Sequence, residues 1–464
     1  MDKQTRIQKI EEIVNREKDN PFGMQEIPWQ DALQSMPVYK IPLSYLVYNK
    51  YNGRILSRTK SLEKQNHIID VETDEGKKQI EQLLWDSKED RNKKTEKDLD
   101  DFGQKKVGII TRDGIIIDGN RRAMLLNRLG KVDYFKAVVL PVKLDENLIE
   151  IQKLETSFQM GEDEKLGYNP IEKYLKARDL FDVLITNNNE DAALSKIADW
   201  MGEQKSTIQD LLLVIKTMDE YLSEFKYDGI YTQLDGREDQ FINLTKWLDT
   251  FYGAQSGKAF DGYQDDDVDD LKVVAFDYIR DKYEGKEFRV IAHGQKQNHF
   301  FGDLTIWKSF RDIHFEITKS IQKSEIDYSS PNLKSHLDEL DNSFSNDVHD
   351  KIKDNLESHY ENLRNKQAGD KPEKLIRRSI ESFDAIQQNH HTFGEENSQK
   401  LLEELATKTL HGLQKKSPVK ILGLVRKLLE EIDVSEIADD DLDDARSCAK
   451  NIQRVLNEFR KEID

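Results

Sequence analysis

The chain has 464 residues and a formal net charge of -19, with charged residues at 34% and hydrophobic residues at 37%. The length indicates two to four folded units, and the acidic charge argues against a protein that coats nucleic acid non-specifically. A single cysteine excludes an intramolecular disulfide framework and any metal site built from several cysteines.

The first segment, residues 1–35, is predicted to be a helical lead-in. Its first part, "MDKQTRIQKIEEIVNREKDN", is charged and amphipathic and lacks the apolar core of a secretory signal. No run in the sequence is apolar over the length that a bilayer requires. We therefore expect a cytoplasmic protein with no membrane partner.

Residues 36–150 predict a small domain of mixed α/β structure. "VYKIPLSYLVYN" and "YFKAVVLPVKL" are rich in β-branched and aromatic residues, as strands are. "KVGIITRDGIIIDG" predicts two short strands joined by a turn at Gly114. The charged residues 60–100 are predicted to be helical, and "NRRAMLLNRLGK" predicts a helix that ends at Gly130.

Beyond residue 150 the strand signal fades and helical spacing dominates. We predict a helix-turn-helix domain at 151–235 and a mixed, mostly helical region at 236–330, in which "DGYQDDDVDD" is interpreted as a solvated acidic loop. Residues 331–464 predict an α-helical C-terminal domain for a partner or for dimerisation. The predicted fold class is α+β: a small mixed α/β domain, then a mainly α-helical middle and C-terminal region.

The stretch "DGIIIDGNRRAMLLNRLG" predicts a phosphate-binding corner. A strand that turns sharply into a helix exposes the first backbone N–H groups, which attract anions, and Gly119 lets the backbone approach a ligand closely. Arg121 and Arg122 oppose the helix dipole, but arginine binds phosphate through paired hydrogen bonds. The alternative is that one of these arginines pairs with a nearby acid such as Asp118.

The motifs and their order resemble the ParB/sulfiredoxin-like superfamily over roughly residues 38–220. "IPLSYLVYNKYNGR" resembles the first box of that superfamily, and "IIDGNRRAMLLNRLG" resembles the second. "LETSFQMGEDEKLGYNPIEKYLKA" resembles the third, and "LSKIADWMGEQKSTIQDLLLVI" resembles the helix-turn-helix that follows in ParB proteins.

This resemblance implies a pocket for a nucleoside triphosphate, which in ParB proteins is usually CTP with Mg²⁺. It implies nucleotide-binding roles for Arg54, Gly119, Asn120, Arg121, Arg122 and Asn169. It places Glu155 near the metal or the nucleotide. The sequence departs from the family in three places, which are Gly53 for a proline, Thr156 for a metal-holding asparagine, and the insertion "GEDEKLGY". These departures bear on base identity, metal binding and hydrolysis. Sulfiredoxin chemistry is not expected, because the one cysteine, Cys448, is far from the box.

The helix-turn-helix prediction also has support from its own residues. Leu194, Ile197 and Met201 form an apolar stripe before a turn at Gly202, and the stripe resumes at Ile208. Polar side chains on the exposed face of the second helix are predicted to contact DNA in a major groove; they are Gln204, Lys205, Ser206, Thr207 and Gln209. The alternative is an ordinary hairpin of two helices.

Three functions stay open from the sequence. The first is a DNA-binding protein in which a bound nucleotide gates DNA or partner engagement. The second is a nuclease or NTPase effector of a mobile-element or phage-defence system, with Asp118 and Glu155 as catalytic carboxylates in metal-assisted hydrolysis. The third is an acidic helical adaptor with a degenerate nucleotide pocket. The partners considered are DNA, a second copy of the chain, and a protein bound to the C-terminal helices.

Overall fold

The computed structural model describes residues 1–65, 68–158, 170–253, 260, 262–283, 286–293, 298–319, 321, 326–328, 330, 333–369, 371–414 and 418–463. The chain divides into two compact units, Met1–Asp370 and Lys371–Asp464, and each is described by itself. Within the described ranges, no helix has both the length and the apolar composition needed to cross a bilayer.

The first unit begins with five strands and six helices. In chain order these are α1 (Lys3–Glu17), β1 (Gly23–Trp29), β2 (Ala32–Pro42), α2 (Leu56–Lys64), α3 (Asp74–Ser87), α4 (Glu89–Phe102), β3 (Gly108–Ile110), β4 (Ile116–Asp118), α5 (Asn120–Leu129), β5 (Tyr134–Val139) and α6 (Leu148–Thr156). The predicted mixed α/β domain is therefore confirmed as a fold, including the helix α5 and its end at Gly130.

The strands form one mixed sheet in the order β1-β2-β5-β3-β4. β5 pairs parallel with β3, and the other neighbouring pairs are antiparallel. Successive side chains face opposite sides of the sheet, so Ile110 and Ile116 join the apolar layer that includes residues of α1, α3 and α5. Ile109 and Ile117 join the opposite layer, which includes α6. Because β4 is an edge strand, the turn from β4 into α5 lies at the edge of the sheet.

The prediction of a helical lead-in over residues 1–35 is wrong after α1, because β1 and the start of β2 lie there. In β1, Ile27 and Trp29 are buried and alternate with exposed neighbours, which is the period of a strand. The turn to β2 is made by Gln30 and Asp31, both with positive φ, at 55° and 61°. Two successive positive φ values are typical of a tight hairpin turn.

The rest of the first unit is helical. Its main helices are α7 (Pro170–Ile185), α8 (Glu190–Met201), α9 (Lys205–Glu224), α10 (Glu238–Thr245), α11 (Asp265–Arg280), α12 (Leu304–Lys319) and α13 (Leu333–Gln367). Their apolar faces form a single buried cluster, which also includes Leu56 of α2. The predicted acidic loop is wrong in part: Asp265, Asp266 and Asp267 form the first turn of α11, where carboxylates favour the helix dipole.

A buried ion network joins three elements of this helical part. Asp341 of α13 accepts hydrogen bonds from Tyr227 Oη at 2.7 Å, from Arg237 Nη2 at 2.9 Å and from Arg280 Nε at 2.9 Å. The side chain of Asp341 is fully buried. The carboxylate therefore ties α11 and the segment before α10 to α13 with two cations and a phenol.

The second unit consists of α14 (Pro372–Asp384), α15 (Glu396–Gln414), α16 (Pro418–Glu431) and α17 (Leu442–Ile463). None of the side chains described in this unit is buried. Large apolar residues are exposed on every one of these helices, among them Ile376, Ile380, Leu401, Leu405, Leu424, Leu428, Val455 and Phe459. The whole chain thus has an N-terminal mixed sheet with helices, followed by a largely helical remainder.

Candidate functional site

The turn from β4 into α5 is made by Gly119, whose φ is 108°. A Cβ atom at this position would lie only 2.6 Å from Cζ of Phe135. Gly119 is therefore required by the packing of the Phe135 ring as well as by the backbone conformation. Gly119 is also the N-cap residue of α5, and no side chain caps the N–H groups of that helix.

Asn120, the first residue of α5, links this turn to the loop after β2. Its Oδ1 accepts a hydrogen bond from the backbone N–H of Asn49 at 3.0 Å, and its Nδ2 donates to the carbonyl of Ile116 at 3.0 Å. The same loop runs beside the start of β4, where Val47 pairs with Ile115, the residue before that strand. Asn120 thus positions the loop that carries Arg54 next to the start of α5.

Arg122 makes protein contacts with both ends of its guanidinium group. Nη2 donates to Asp118 Oδ2 at 2.6 Å, and Nη1 donates to the carbonyl of Lys106 at 2.6 Å. For Arg122, the alternative of pairing with Asp118 is therefore what the structure shows. Its predicted contact with phosphate, and the predicted catalytic role of Asp118, stay predictions that would require this ion pair to rearrange.

Four basic residues from three places in the chain form what we call the cation cluster: Arg54 on the loop before α2, Lys88 and Arg91 at the junction of α3 and α4, and Arg121 at the start of α5. Nη2 of Arg121 lies 3.5 Å from Oγ of Ser87, the last residue of α3. The pKa of Lys88 is lowered by partial burial and then by repulsion from Arg91, Arg121 and Arg54. These four charges are therefore close enough to interact.

Helix ends reinforce the positive potential of the cation cluster. α2 begins directly after Arg54 and Ile55, α4 begins after Lys88, and α5 begins after Gly119. The N-terminal end of a helix carries partial positive charge; Glu89 and Asp90 lie in the first turn of α4, whereas the first turn of α5 has no acidic residue. Arginine side chains and free N–H groups at a helix start are the groups that bind anions in proteins.

Glu172, in the third box, holds α7 against the start of α2. Its carboxylate accepts hydrogen bonds from Ser57 N at 2.8 Å and from Ser57 Oγ at 2.6 Å, and Arg58 Nη1 lies 3.8 Å away. Burial raises the pKa of Glu172 to about 7, although the contacts with Ser57 and Arg58 act in the opposite direction. Glu172 thus joins the sheet-bearing part to the helical part.

Glu155, near the end of α6, lies in a second buried network. Oε2 accepts a hydrogen bond from Lys176 Nζ at 3.1 Å, and Oε1 accepts one from Asn49 Nδ2 at 3.3 Å. Thr156, the residue that departs from the family pattern, donates its hydroxyl to the carbonyl of Gln152 at 2.6 Å. The predicted metal and catalytic roles of Glu155 are not tested by these contacts.

Two further predictions concern the third box. Asn169, predicted to bind nucleotide, lies outside the described residues. Within the parts of the chain that are described, no group of three or more histidine, cysteine, aspartate or glutamate side chains is arranged to hold a metal ion. The Mg²⁺ site implied by the resemblance stays a prediction.

The two helices predicted around Gly202 form as α8 and α9, with Gly202 in the left-handed conformation at the turn; a helix-turn-helix and an ordinary helical hairpin share this feature. Its apolar stripe is buried as expected at Leu194, Ile197, Met201 and Ile208. The predicted DNA-contacting residues split into two groups: Gln204, Ser206 and Gln209 are exposed, and Lys205 and Thr207 are partly buried. Lys205 forms an ion pair with Asp191 of α8.

The sequence interpretation missed Lys88, Arg91 and Lys176. Lys88 and Arg91 lie within a run of alternating acids and bases, so the local pattern of charge did not distinguish them from a solvated helix face. Lys176 lies on the helix of the third box, one turn after Glu172, and that spacing was a usable signal.

Comparison with protein-family models gives no match for this chain, and comparison with curated proteins gives no similar protein either.

Proposed function

We propose that the chain is a nucleotide-binding protein in which a nucleoside triphosphate, bound at the cation cluster, gates the engagement of DNA or of a partner. The observation that supports this proposal is that Arg121, at the start of α5, lies 3.5 Å from Ser87 beside Lys88, and that Arg54 and Arg121, from two separate motifs, both act to lower the pKa of Lys88. The likeness of the three boxes to ParB proteins favours CTP with Mg²⁺ as the ligand, with Glu155 near the metal.

The proposed gating by the nucleotide depends on two contacts, one that anchors the loop carrying Arg54 and one that anchors α7. The loop that carries Arg54 is tied to α5 by Asn120, and Ser57, three residues after Arg54, is held by Glu172 of α7. A ligand that binds one arrangement of α2 and α7 better than another shifts the population toward it. The helix pair α8 and α9 follows α7 directly, so such a shift is transmitted to the proposed DNA-binding face.

The test of this proposal is calorimetric titration of the full chain with each of the four nucleoside triphosphates, with and without Mg²⁺. We expect one of them to bind, and we expect Arg121→Gln to weaken that binding by about tenfold, equivalent to about 1.4 kcal/mol. The matched control is Arg128→Gln at the other end of α5, where Arg128 contacts Glu96 and Trp85 instead. Equal affinity in wild type and Arg121→Gln would overturn the proposal.

DNA engagement is tested by fluorescence anisotropy on duplex DNA with and without the bound nucleotide. The variant carries alanine at Gln204, Ser206 and Gln209, which are exposed at the start of α9. We expect weaker binding in the variant and a nucleotide-dependent affinity in the wild type. If the affinity for DNA changes neither with the nucleotide nor with these substitutions, the proposed DNA-binding role is contradicted, and α8 and α9 are an ordinary helical hairpin.

The second unit supports a protein partner, and we propose a second copy of the chain as that partner. The observation in favour is the exposed apolar stripe of α17, in which Ile452, Val455, Leu456, Phe459 and Ile463 recur at helical spacing. An apolar stripe of this kind is stabilised by a facing helix. The nuclease or NTPase alternative has no comparable support, since Asp118 and Glu155 are both in ion pairs with basic residues.

A further inference from the structure

We infer that Lys176 supplies, from within the chain, the positive charge that the family likeness assigns to a metal ion beside Glu155, so that this carboxylate does not bind Mg²⁺. This inference rests on the proposed function and departs from the likeness to ParB proteins in one respect, which is the metal. It is carried by the contacts of both carboxylate oxygens of Glu155 and by the burial of the side chains that make them.

The carboxylate of Glu155 forms a buried ion pair with Lys176. Nζ of Lys176 donates to Oε2 at 3.1 Å, and the side chains of Glu155 and Lys176 are only 5% and 6% exposed. Two opposite charges removed from water attract each other more strongly than a surface pair does. A Mg²⁺ ion on the same oxygen, at about 2.1 Å, would lie within about 5 Å of this ammonium group and be repelled by it. The ion pair and a bound metal ion therefore compete for this carboxylate.

The second oxygen of Glu155 faces a hydrogen-bond donor. Nδ2 of Asn49 donates to Oε1 at 3.3 Å, and Oδ1 of Asn49 accepts from the backbone N–H of Tyr51 at 3.1 Å. Because a backbone N–H can only donate, the contact with Tyr51 fixes the orientation of the Asn49 amide. The group of Asn49 that faces Glu155 is therefore its NH₂, which is a donor and not a metal ligand.

The neighbouring residue Thr156 and the burial of the network also act against a bound metal ion. Thr156, which stands where the family has a metal-holding asparagine, is fully buried and donates its hydroxyl to the carbonyl of Gln152 at 2.6 Å. Mg²⁺ dehydrates reluctantly and usually keeps several water ligands in a protein site. Asn49, Glu155 and Lys176 are all buried, so this carboxylate is shielded from the water that such an ion carries.

The ion pair still connects to the proposed nucleotide site, through the loop after β2. Lys176 lies on α7 and Glu155 on α6, and Asn49, which donates to Glu155, also donates its backbone N–H to Asn120 at the start of α5. Glu155 and Lys176 are therefore positioning residues, which hold α6 and α7 against the loop. The nucleotide then binds through the start of α5 and the cation cluster, with no metal ion held by Glu155.

The first experiment is titration of the full chain with Mn²⁺, followed by electron paramagnetic resonance of the free ion. Mn²⁺ prefers the same oxygen ligands as Mg²⁺. The proteins are wild type, Lys176→Ala, and the double variant Glu155→Gln/Lys176→Ala, which differs from Lys176→Ala only in the carboxylate. We expect wild type and the double variant to bind equal amounts of Mn²⁺. We expect Lys176→Ala to bind an additional ion, because its carboxylate has lost the internal cation.

Thermal unfolding with and without Mn²⁺ gives a second readout of the same three proteins. Mn²⁺ should raise the unfolding midpoint of Lys176→Ala more than that of the other two proteins, because a ligand of the folded state stabilises it. More Mn²⁺ bound by wild type than by the double variant would overturn the inference, and so would a folded Lys176→Ala that binds no additional ion. If Lys176→Ala does not fold, the comparison of wild type with the double variant decides by itself, since the double variant leaves no unpaired charge buried.

The second experiment separates the inference from the proposed function. Calorimetric titration with the best-binding nucleoside triphosphate is run with Mg²⁺ and with a chelator, on wild type and on Glu155→Gln/Lys176→Ala. We expect the chelator to change the affinity of both proteins by the same factor, within about threefold. If wild type needs Mg²⁺ and the double variant does not respond to it, the inference fails and the proposed function stands. If wild type binds no nucleotide at all, the proposed function fails, and the Mn²⁺ titration still decides the inference.

Discussion

Both units of this chain contain amphipathic helices, yet within the described residues only the first unit buries their apolar faces. α13 in the first unit buries Leu337, Phe344, Val348 and Leu356 along its length. α17 in the second unit has 22 residues with an apolar stripe of the same spacing, and none of them is buried. An amphipathic pattern thus predicts that a helix forms. Which element packs against its apolar face depends on the rest of the fold.

This difference in burial indicates which unit is stable by itself. Covering a large apolar side chain contributes about 1.5–3 kcal/mol, so the buried helices of the first unit supply their own stability. Within the described residues of the second unit no side chain is buried, so this contribution to the free energy of unfolding is missing there. Its stability should therefore depend on binding to another chain, and hence on protein concentration.

The largest effect is expected from breaking the buried ion network of the first unit. Asp341→Asn leaves the buried Arg237 and the partly buried Arg280 without their carboxylate. Removing one partner of a buried ion pair costs about 3–5 kcal/mol, so we expect a loss of that size in denaturant unfolding. Asp338→Asn on the same helix is the control, since Asp338 forms only a surface pair with Lys334. A loss as small as the control's would mean that the network is not important for stability.

The next prediction concerns the contact of Glu172 on α7 with the start of α2. It states how the free energy of unfolding should depend on pH because of that residue. Burial raises the pKa of Glu172 from 4.5 to about 7. Between these values the folded protein keeps a proton that the unfolded chain has released, so stability falls as pH rises, by up to about 3 kcal/mol in total. Glu172→Gln keeps an acceptor for Ser57 and should not show this fall.

The measurement is the difference in unfolding free energy between wild type and Glu172→Gln at a series of pH values. We expect the wild type to lose stability relative to the variant from about pH 4.5 to about pH 7, and no further change above that. A difference that is flat over this range, or that rises with pH, would show that the pKa of Glu172 is not raised in the folded state.

A smaller effect is expected in the second unit, and it concerns association. If a second copy covers these helices, Leu428→Ala combined with Phe459→Ala should weaken dimerisation by about 2 kcal/mol, or roughly 30-fold. Sedimentation equilibrium measures this directly. Leu33→Ala combined with Phe102→Ala removes apolar side chains of the first unit that are even more exposed, and it should leave association unchanged. A wild type that stays monomeric would contradict the proposal that a second copy of the chain covers the apolar faces of the second unit.

The sequence predicted the fold best where one rule acted locally. The strands around Gly114, the helix that ends at Gly130 and the pair of helices around Gly202 follow from spacing and turn residues, and all are confirmed. The resemblance to ParB proteins, and no local rule, implied that Arg54 and Arg121 lie around one ligand. Lys88 and Arg91 were not foreseen, because their position depends on how α4 packs against α5, which no local pattern encodes.

The missed strand β1 has a similar physical cause. Its turn is formed by Gln30 and Asp31, whereas the residues that favour such a turn are asparagine and glycine. Because this turn signal is absent, the sequence does not indicate a hairpin here. The charged residues before β1 and the shortness of its alternating pattern therefore favoured the prediction of a helix. The pairing of β1 with β2, from Gly23 with Val38 to Trp29 with Ala32, overrides that local preference.

The smallest predicted effect follows from this turn and concerns the first unit alone. A residue other than glycine pays about 1–2 kcal/mol in the left-handed conformation, and glycine costs about 0.5–1 kcal/mol more in backbone entropy. Gln30→Gly should therefore raise the unfolding free energy by about 0.5 kcal/mol, and Gln30→Val should lower it. The matched control is Ser35→Gly on β2, where the strand is extended and the same change should destabilise. Denaturant unfolding measures all three, and an equal effect of glycine at both positions would contradict the role of the turn.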